Sequence, residues 1–299
     1  MKKQNRRDFL KSSISIAGAA TATNLLLPKN TKASPENILS NDRFGVLVDT
    51  TVCIGCRKCE WACKTAHNLP AGDASDYDDK KVLSQRRRPS PGGYTVVNQY
   101  QTNQIPTNVK FQCMHCDHPA CVSACIVGAF SKTEYGAIVW DETKCIGCRY
   151  CMVACPFQIP TFDFDKAIEP NISKCDFCID RLKVGKIPAC VEICPVETLT
   201  FGPRKDLIEV ARKKIKNFPD RYINRIFGEA EVGGTSWLYL ASSQFEKLDF
   251  PKLGKNPAPG VSETIQHGIF AYFIPPIALY ALLGGIMWVN KKSENEDEE

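Results

Sequence analysis

Short apolar segments, separated by polar loops that contain glycine and proline, run through the central part of the chain. Residues 206–216 place apolar side chains at helical spacing and predict an exposed amphipathic helix. A strand is expected after Gly233-Gly234, within residues 231–240. Other apolar segments predict β-strands at residues 44–48, 94–100, 137–140 and 198–201. Short strands and helices mixed in this way indicate an α+β fold.

One apolar segment near the C-terminus is much longer than the others. Residues 268–289 are 22 consecutive residues without a charge, and Lys291-Lys292 follow them. About 20 apolar residues cross a bilayer as a helix, and basic residues beside a span mark its cytoplasmic side. We therefore predict a transmembrane helix at residues 265–290 and an acidic cytoplasmic tail at residues 291–299. The alternative is a buried core helix, but the lack of amphipathic periodicity argues against it.

The N-terminus has the organisation of an export signal. Arg6-Arg7 precede Phe9-Leu10-Lys11, and residues 12–27 carry no charge. A charged region followed by a short apolar stretch is typical of such signals, and the arginine pair indicates the twin-arginine type. We expect residues 1–33 to be the signal and the mature protein to lie on the periplasmic side of the inner membrane. An ordinary secretory signal or anchor is the alternative.

The net charge of +5 comes from the same N-terminal segment. Residues 1–33 contain seven Lys and Arg and one acidic residue, so the rest of the chain has a net charge of −1. A nearly neutral body has no long-range attraction for a phosphate backbone. Nucleic acid is therefore not an expected partner.

Sixteen cysteines fall into four groups of four, with none left over. Groups I and III have the spacing C-x2-C-x2-C-x3-C, group II has C-x2-C-x4-C-x3-C, and group IV has C-x2-C-x11-C-x3-C. In bacterial ferredoxins the first spacing lets three thiolates hold one [4Fe–4S] cluster while the fourth ligates another. The members are Cys53, Cys56, Cys59 and Cys63 (group I); Cys113, Cys116, Cys121 and Cys125 (group II); Cys145, Cys148, Cys151 and Cys155 (group III); and Cys175, Cys178, Cys190 and Cys194 (group IV).

Disulfide bonds and zinc sites would also use cysteines, but both fit this pattern less well. Disulfides suit an exported chain with an even number of cysteines, but three cysteines within seven residues cannot all pair with good geometry. Zinc sites prefer two separated pairs of ligands over triplets. We therefore expect iron–sulfur ligation. In groups I and III we expect Gly55 and Gly147 to lie in tight loops and the fourth cysteine to start the following helix.

The four histidines and one arginine run are assigned no ligand role. His115 and His118 lie inside group II, and we interpret them as surface residues or neighbours of ligands. His267 is interpreted as a polar residue at the membrane interface. The Arg86-Arg87-Arg88 run is interpreted as a solvated face or a partner contact, and the remaining histidine is His67.

The cysteine motifs resemble the four-cluster iron–sulfur subunits of membrane-bound redox complexes. That family includes the beta subunits of formate dehydrogenase, dimethyl sulfoxide reductase and nitrate reductase. The twin-arginine signal, the C-terminal anchor and the sequence Val-Ser-Glu-Thr-Ile-Gln-His at 261–267 are most similar to the electron-transfer subunits of periplasmic [NiFe]-hydrogenases. The residues that carry the resemblance are Cys-Ile-Gly-Cys at 53–56, Cys-Met-His-Cys-Asp-His-Pro-Ala-Cys at 113–121, Cys-Ile-Gly-Cys-Arg-Tyr-Cys-Met-Val-Ala-Cys-Pro at 145–156, Lys-Cys-Asp-Phe-Cys at 174–178 and Glu-Val-Gly-Gly-Thr-Ser at 231–236.

The resemblance, together with the spacing of the groups, implies a nested pairing of group II with group III and of group I with group IV. It implies two pseudo-symmetric bacterial-ferredoxin-like modules at residues 42–202, with an insertion at 64–112, and a partner-contact extension and linker at 203–260. Four [4Fe–4S] clusters would then occupy four sites. These are site A (Cys53, Cys56, Cys59, Cys194), site B (Cys63, Cys175, Cys178, Cys190), site C (Cys113, Cys116, Cys121, Cys155) and site D (Cys125, Cys145, Cys148, Cys151).

The function that the resemblance implies is electron transfer without catalysis. No Ser–His–Asp pattern, P-loop or G-x-G-x-x-G is visible in the sequence. The expected partners are a periplasmic catalytic subunit, with a [NiFe]-hydrogenase favoured, and a multi-span quinone-reactive membrane subunit. Two alternatives stay open: a beta subunit of a molybdopterin oxidoreductase such as formate dehydrogenase, and a module whose clusters are only structural.

Overall fold

A computed structural model describes residues 43–102, 106–165, 171–260, 277 and 279–288. The predicted signal, His267 and the acidic tail lie outside these residues, as does much of the predicted membrane segment. Residues 279–288 are helical. Within the described ranges, no helix combines the length and the apolar character that a membrane crossing requires.

Fifteen helices and strands are named here in chain order. They are β1 (Phe44–Asp49), α1 (Lys58–Ala66), β2 (Val96–Tyr100), β3 (Thr107–Phe111), α2 (Ala120–Ser123), β4 (Phe130–Lys132), β5 (Ile138–Trp140), α3 (Tyr150–Ala154), β6 (Thr161–Phe162), β7 (Ile172–Ser173), α4 (Ile179–Lys183), α5 (Ala189–Glu192), β8 (Leu199–Pro203), α6 (Arg204–Asn217) and β9 (Trp237–Leu240). Short 3₁₀ turns occur at Ala74–Tyr77, Lys80–Ser84, Glu142–Lys144, Glu231–Gly233 and Phe245–Leu248.

Strand β1 is the centre of a three-stranded sheet. It pairs antiparallel with β8 and parallel with β9, so that Val46 lies between Phe201 and Trp237. The sheet is covered on both faces, because Val46 packs into the main core while Leu47 packs with α6. Burial on both faces explains why β1 is a continuous apolar run.

Three two-stranded antiparallel sheets complete the fold, formed by β2 with β3, β4 with β5, and β6 with β7. The predicted strands correspond to β1, β2, β5, β8 and β9, and the predicted amphipathic helix is α6. The mixture of helices and short sheets is that of an α+β fold, as predicted.

Strands β3, β4, β6 and β7 have no counterpart among the predictions. The last three contain only two or three residues each, which is too short for an alternating pattern to be recognised. Strand β3 was missed for a different reason. Its Asn108 and Lys110 are polar but buried, so hydrophobic patterning points away from a core strand.

Candidate metal centres

All sixteen cysteines lie in the described residues and all of them are free thiols. Seven are buried, eight are partly buried, and Cys148 alone is exposed. Disulfide bonding is therefore not supported by the structure. Sixteen thiols, most of them withdrawn from solvent, form a donor set suited to soft metal centres.

The cysteines predicted for site A line one cavity. Cys194, which lies far from the others in sequence, meets them beside Thr198 and Leu199 at the start of β8. Burial, together with the neighbouring thiols Cys194 and Cys56, raises the pKa of Cys53 to about 11. The ligand that a nested pairing requires from group IV is thus brought to group I.

A second cavity is lined by the four cysteines predicted for site C. Cys155, from group III, lies there with Cys113, Cys116 and Cys121 of group II. Burial raises the pKa of Cys116 well above its ordinary value, and the three other thiols add to the effect. Groups II and III therefore share this cavity.

The cysteines predicted for sites B and D are also neighbours of one another. In site B, the charge of Cys63 interacts with Cys175 and with Cys190. Burial, together with the charge of Cys190, raises the pKa of Cys178 to about 12. In site D, burial raises the pKa of Cys151 to about 11, and this site's three other cysteines contribute. The structure thus brings together the members of all four predicted sets, while their role as ligands stays a prediction.

Contacts between the sets arrange the sites in the order A, B, C, D. Cys59 of site A interacts with Cys190 of site B, and Cys175 of site B interacts with Cys113 of site C. Cys121 of site C interacts with Cys151 of site D. Neighbouring sites are therefore close enough for their charges to act on one another.

The loops of groups I and III have the same backbone conformation. Gly55 and Gly147 have φ of 67° and 68°, and Arg57 and Arg149, two residues later, have φ of 59° and 62°. A Cβ on Gly55 would lie 2.7 Å from Asn108 Oδ1, so this position requires glycine both for its φ and for the space. Helices α1 and α3 begin directly after the two arginines, before the third cysteine of each group. The expectation that the fourth cysteine begins the helix was wrong.

Groups II and IV contain a repeat that the sequence reasoning missed. Pro-Ala-Cys-Val occurs at 119–122 and again at 188–191, and in both places the proline precedes a one-turn helix, α2 or α5. The residues His115 and Phe177, which precede the second cysteine of their groups, have φ of 48° and 66°. Their rings contact each other at 4.9 Å between centroids. A direct comparison of the two groups could have revealed this repeat.

Two buried ring N–H groups near the cysteines have no hydrogen-bond acceptor in the described structure. The backbone N–H of Ile138 donates to His115 Nδ1 at 2.8 Å, so the proton of the neutral ring is on Nε2, which has no partner. The Trp140 indole N–H, which packs against the same apolar cluster as Cys125 and Cys145, also lacks a partner, and the Thr198 hydroxyl in the site A cavity has the Cys53 thiol as its neighbour. Buried donors are rarely left unpaired, so an acceptor such as a cluster sulfur fits these places, and the residues fit iron–sulfur clusters.

His67 is held beside group IV and is not a surface residue. Its Nδ1 lies 2.7 Å from the Cys63 carbonyl oxygen, and its Nε2 lies 2.8 Å from Asp176 Oδ1. Burial alone would lower the pKa of His67, but the hydrogen bond to Asp176 raises it to about 11. The pair joins the end of α1 to the loop of group IV. His118 lies against Gly233.

The interpretation of the arginine run as a solvated face is wrong for Arg87, whereas Arg86 and Arg88 are exposed. Arg87 makes a two-pronged ion pair with the buried Glu60 at 2.6 and 3.0 Å. Arg88 donates to the carbonyl oxygens of Phe157 and Gln158. These arginines fasten the segment before β2 to the parts of the chain that carry groups I and III.

The sequence matches proteins that carry iron–sulfur clusters. A family described as "4Fe-4S dicluster domain" matches residues 107–204. The chain is 31% identical to the Hydrogenase-2 operon protein HybA of Escherichia coli O157:H7 over 98% of both chains. It is 30% identical to the formate dehydrogenase-O iron-sulfur subunit of Escherichia coli K12, over 82% of this chain and 80% of that one. A protein of Nitratidesulfovibrio vulgaris is 50% identical over 73% of this chain, which spans 60% of that protein's length.

Proposed function

Because the chain belongs to the family of iron–sulfur electron-transfer subunits of oxidoreductase complexes, we propose that it relays electrons between a periplasmic catalytic subunit and a quinone-reactive membrane subunit. A [NiFe]-hydrogenase is the favoured catalytic partner, because the similarity to the Hydrogenase-2 operon protein extends over nearly all of both chains. The chain itself has no catalytic role. Its relatives are named as iron–sulfur subunits of such complexes.

The proposal extends to four [4Fe–4S] clusters held by the sixteen cysteines of sites A to D. The observation that carries it is the pair of cavities lined by the cysteines of sites A and C. In each, one cysteine comes from a different group from the other three, as a shared ligand scheme requires. When bound, the clusters supply reversible one-electron transfer, while the protein excludes water and offers donors such as the N–H of His115 and the hydroxyl of Thr198.

Exposed apolar side chains at the two end sites are suited to partner contacts. At site A, Ile54 and Val196 line the cysteine cavity and are both exposed. At site D, Ile146, Tyr150 and Val153 are exposed around Cys148. Large apolar side chains exposed together are typical of docking surfaces, so we propose that redox partners bind at sites A and D.

Export and anchoring are part of the same proposal. Residues 1–33 would direct folded protein through the twin-arginine route, and residues 265–290 would hold it in the inner membrane with residues 291–299 in the cytoplasm. Support comes from the sequence pattern and from the exposed apolar side chains of the helix at 279–288, among them Leu279, Tyr280 and Met287. The ferredoxin-like region at 42–202, with its insertion at 64–112, and the extension at 203–260 would then lie in the periplasm.

A molybdopterin oxidoreductase is the second candidate for the catalytic partner. The similarity to the formate dehydrogenase-O iron-sulfur subunit supports it, because the identity is nearly the same as for the hydrogenase relative. In that case electrons would come from a different catalytic subunit, while the role of this chain would be unchanged.

The identity of the electron donor is tested in anaerobic membranes from cells that produce the full-length chain. Hydrogen or formate is added, and the reduction of the clusters is followed by EPR. We expect hydrogen to reduce them in wild-type membranes, with membranes from a strain lacking this chain as the control. Reduction by formate alone would favour the second candidate. Clusters that no donor reduces at quinone-relevant potentials would contradict electron transfer and favour a structural role.

The anchor is tested by truncation after Pro259. We expect the shortened complex to keep its clusters and its reduction of artificial dyes, but to leave the membrane and lose quinone reduction. A truncated complex that reduced quinone at the wild-type rate would contradict the proposed anchor.

A further inference from the structure

Two lysines are buried beside the cysteines and form no ion pair in the described residues. Lys110 on β3 is 3% exposed, and Lys174, next to Cys175, is 5% exposed. Neither forms an ion pair with a carboxylate in the described part of the chain, where other lysines such as Lys132, Lys144 and Lys214 do. An unpaired charge is strongly disfavoured in a protein interior. These two ammonium groups therefore require another source of negative charge.

Lys110 lines the cavity of site A, and its charge also acts on site B. Its Nζ donates to Gln112 Oε1 at 2.8 Å and lies 4.4 Å from the centre of the Trp237 ring. The anionic groups that act on it most strongly are Cys190 of site B, Cys59 of site A and Cys175 of site B, in that order. The charge is thus shared between two neighbouring cysteine sets.

Lys174 has the corresponding position between sites B and C, because it lines the cavity of site C and directly precedes Cys175 of site B. Its Nζ donates to the carbonyl oxygens of Ile138 and Cys175, and the latter belongs to site B. Its charge also acts on Cys121 of site C, and the Phe130 ring lies 5.7 Å away. The oxygens and the ring that surround Lys174 do not neutralise it. Its charge also acts on the Asp176 carboxylate, but that carboxylate is paired with His67 and forms no ion pair with Lys174 in the described residues.

Iron–sulfur clusters in the neighbouring sites would supply the negative charge that these two lysines require. Four thiolates give an iron–sulfur cluster a net negative charge, and reduction by one electron increases it. A fixed positive charge in a medium of low dielectric constant stabilises the reduced form more than the oxidised form. We propose that Lys110 and Lys174 tune electron transfer through their positive charge. Lys110 would raise the reduction potentials of the clusters in sites A and B, and Lys174 those of the clusters in sites B and C. This inference rests on the proposed function, since it requires clusters in sites A, B and C.

The proposal predicts a pattern across the four clusters. Replacing Lys110 by Met removes the charge but keeps an unbranched side chain, and it should make the clusters of sites A and B harder to reduce. Lys174→Met should act in the same way on sites B and C. We expect each affected cluster to lose about tenfold in its preference for the electron, which is about 59 mV for a one-electron couple. The site D cluster should keep its potential in both variants.

The test is an EPR-monitored redox titration of the full-length chain in its membrane complex. Lys183→Met is the matched control. This lysine lies at the end of α4, the helix that follows Cys178, but its side chain is 59% exposed and its charge is screened by solvent. Lys110→Arg keeps the charge and should retain potentials close to wild type. If the role of Lys110 were only to pack against Trp237, Lys110→Met would shift no cluster more than Lys183→Met does.

If Lys110→Met failed to retain its iron, a second variant would still test the effect of the Lys110 charge on the two potentials. Gln112→Glu puts a carboxylate next to Nζ, which neutralises the lysine in place and should lower the same two potentials. Two shifted signals in each lysine variant, with one signal common to both, support the proposal. Unchanged potentials, or an equal shift of all four, would overturn it. A wild-type chain without four reducible clusters would instead contradict the proposed function, so the two failures are distinguishable.

Discussion

The buried carboxylate of Glu60 should be among the strongest single contributors to stability near group I. It lies next to Cys59 on α1 and is 3% exposed. It accepts hydrogen bonds from the backbone N–H of Val97 at 2.7 Å, from Arg87 at 2.6 and 3.0 Å and from Arg57 at 3.3 Å. Glu60→Ala removes all of these and leaves the two guanidinium groups without their carboxylate.

Removing one partner of a buried ion pair costs about 3–5 kcal/mol, because the other charge stays buried. With a urea dependence of about 2–3 kcal/mol per molar, a loss of about 3 kcal/mol lowers the unfolding midpoint by about 1–1.5 M. The assay is urea unfolding of the anaerobically purified full-length protein, followed by far-UV circular dichroism.

Arg86→Ala is the matched control for this experiment. Arg86 also belongs to the arginine run, and its ion pair with Asp249 at 3.2 Å has side chains that are 63% and 43% exposed. Exposed pairs contribute about 0–1 kcal/mol, so its midpoint should fall by less than about 0.5 M. Equal midpoints for Glu60→Ala and Arg86→Ala would refute the reasoning.

Three further changes test other parts of the structure. Cys194→Ser should remove the EPR signal of site A and spare that of site D, and loss of the site D signal instead would disprove the nested pairing. Gly55→Ala, with φ of 67° and Asn108 Oδ1 2.7 Å from the new Cβ, should lower stability by about 1–2 kcal/mol or more, whereas Gly92→Ala, with open space around it, should change the urea midpoint little. Burial opposes ionisation of Asp49, but hydrogen bonds from neighbouring side chains hold its pKa below the ordinary value. The stabilisation that the Asp49 carboxylate provides is therefore complete above about pH 4 and is lost as the pH falls through the folded-state pKa. The difference in urea midpoint between wild type and Asp49→Asn should accordingly shrink in acid. A difference that grew in acid would contradict this.

The local chemistry of the cysteine groups could be predicted because it depends on short spacings. A glycine one residue before the second cysteine predicts a tight loop, and Gly55 and Gly147 both have positive φ. The meeting of Cys194 with group I is a long-range contact, for which the spacings were sufficient only in combination with a family resemblance. The assignment of the cysteines as ligands remains a prediction.

Polar residues that are buried in the interior could not be recognised from hydrophobic patterning. Asn108 and Lys110 on β3 are buried because they face the loops of the cysteine groups, where Asn108 donates to the Cys53 carbonyl oxygen at 2.9 Å. Arg87 looks like a solvent-exposed residue in the sequence, but its partner Glu60 is 27 positions away. Such pairings follow from tertiary contacts that a one-dimensional pattern does not contain.

The most direct test of the central claim is the iron and acid-labile sulfide content of the full-length chain, purified under anaerobic conditions. Four cubane clusters predict about sixteen iron atoms and about sixteen sulfides per chain. A preparation in which zinc is the main metal would contradict iron–sulfur ligation. Fully loaded protein with about eight iron atoms would contradict the four-cluster assignment of sites A to D.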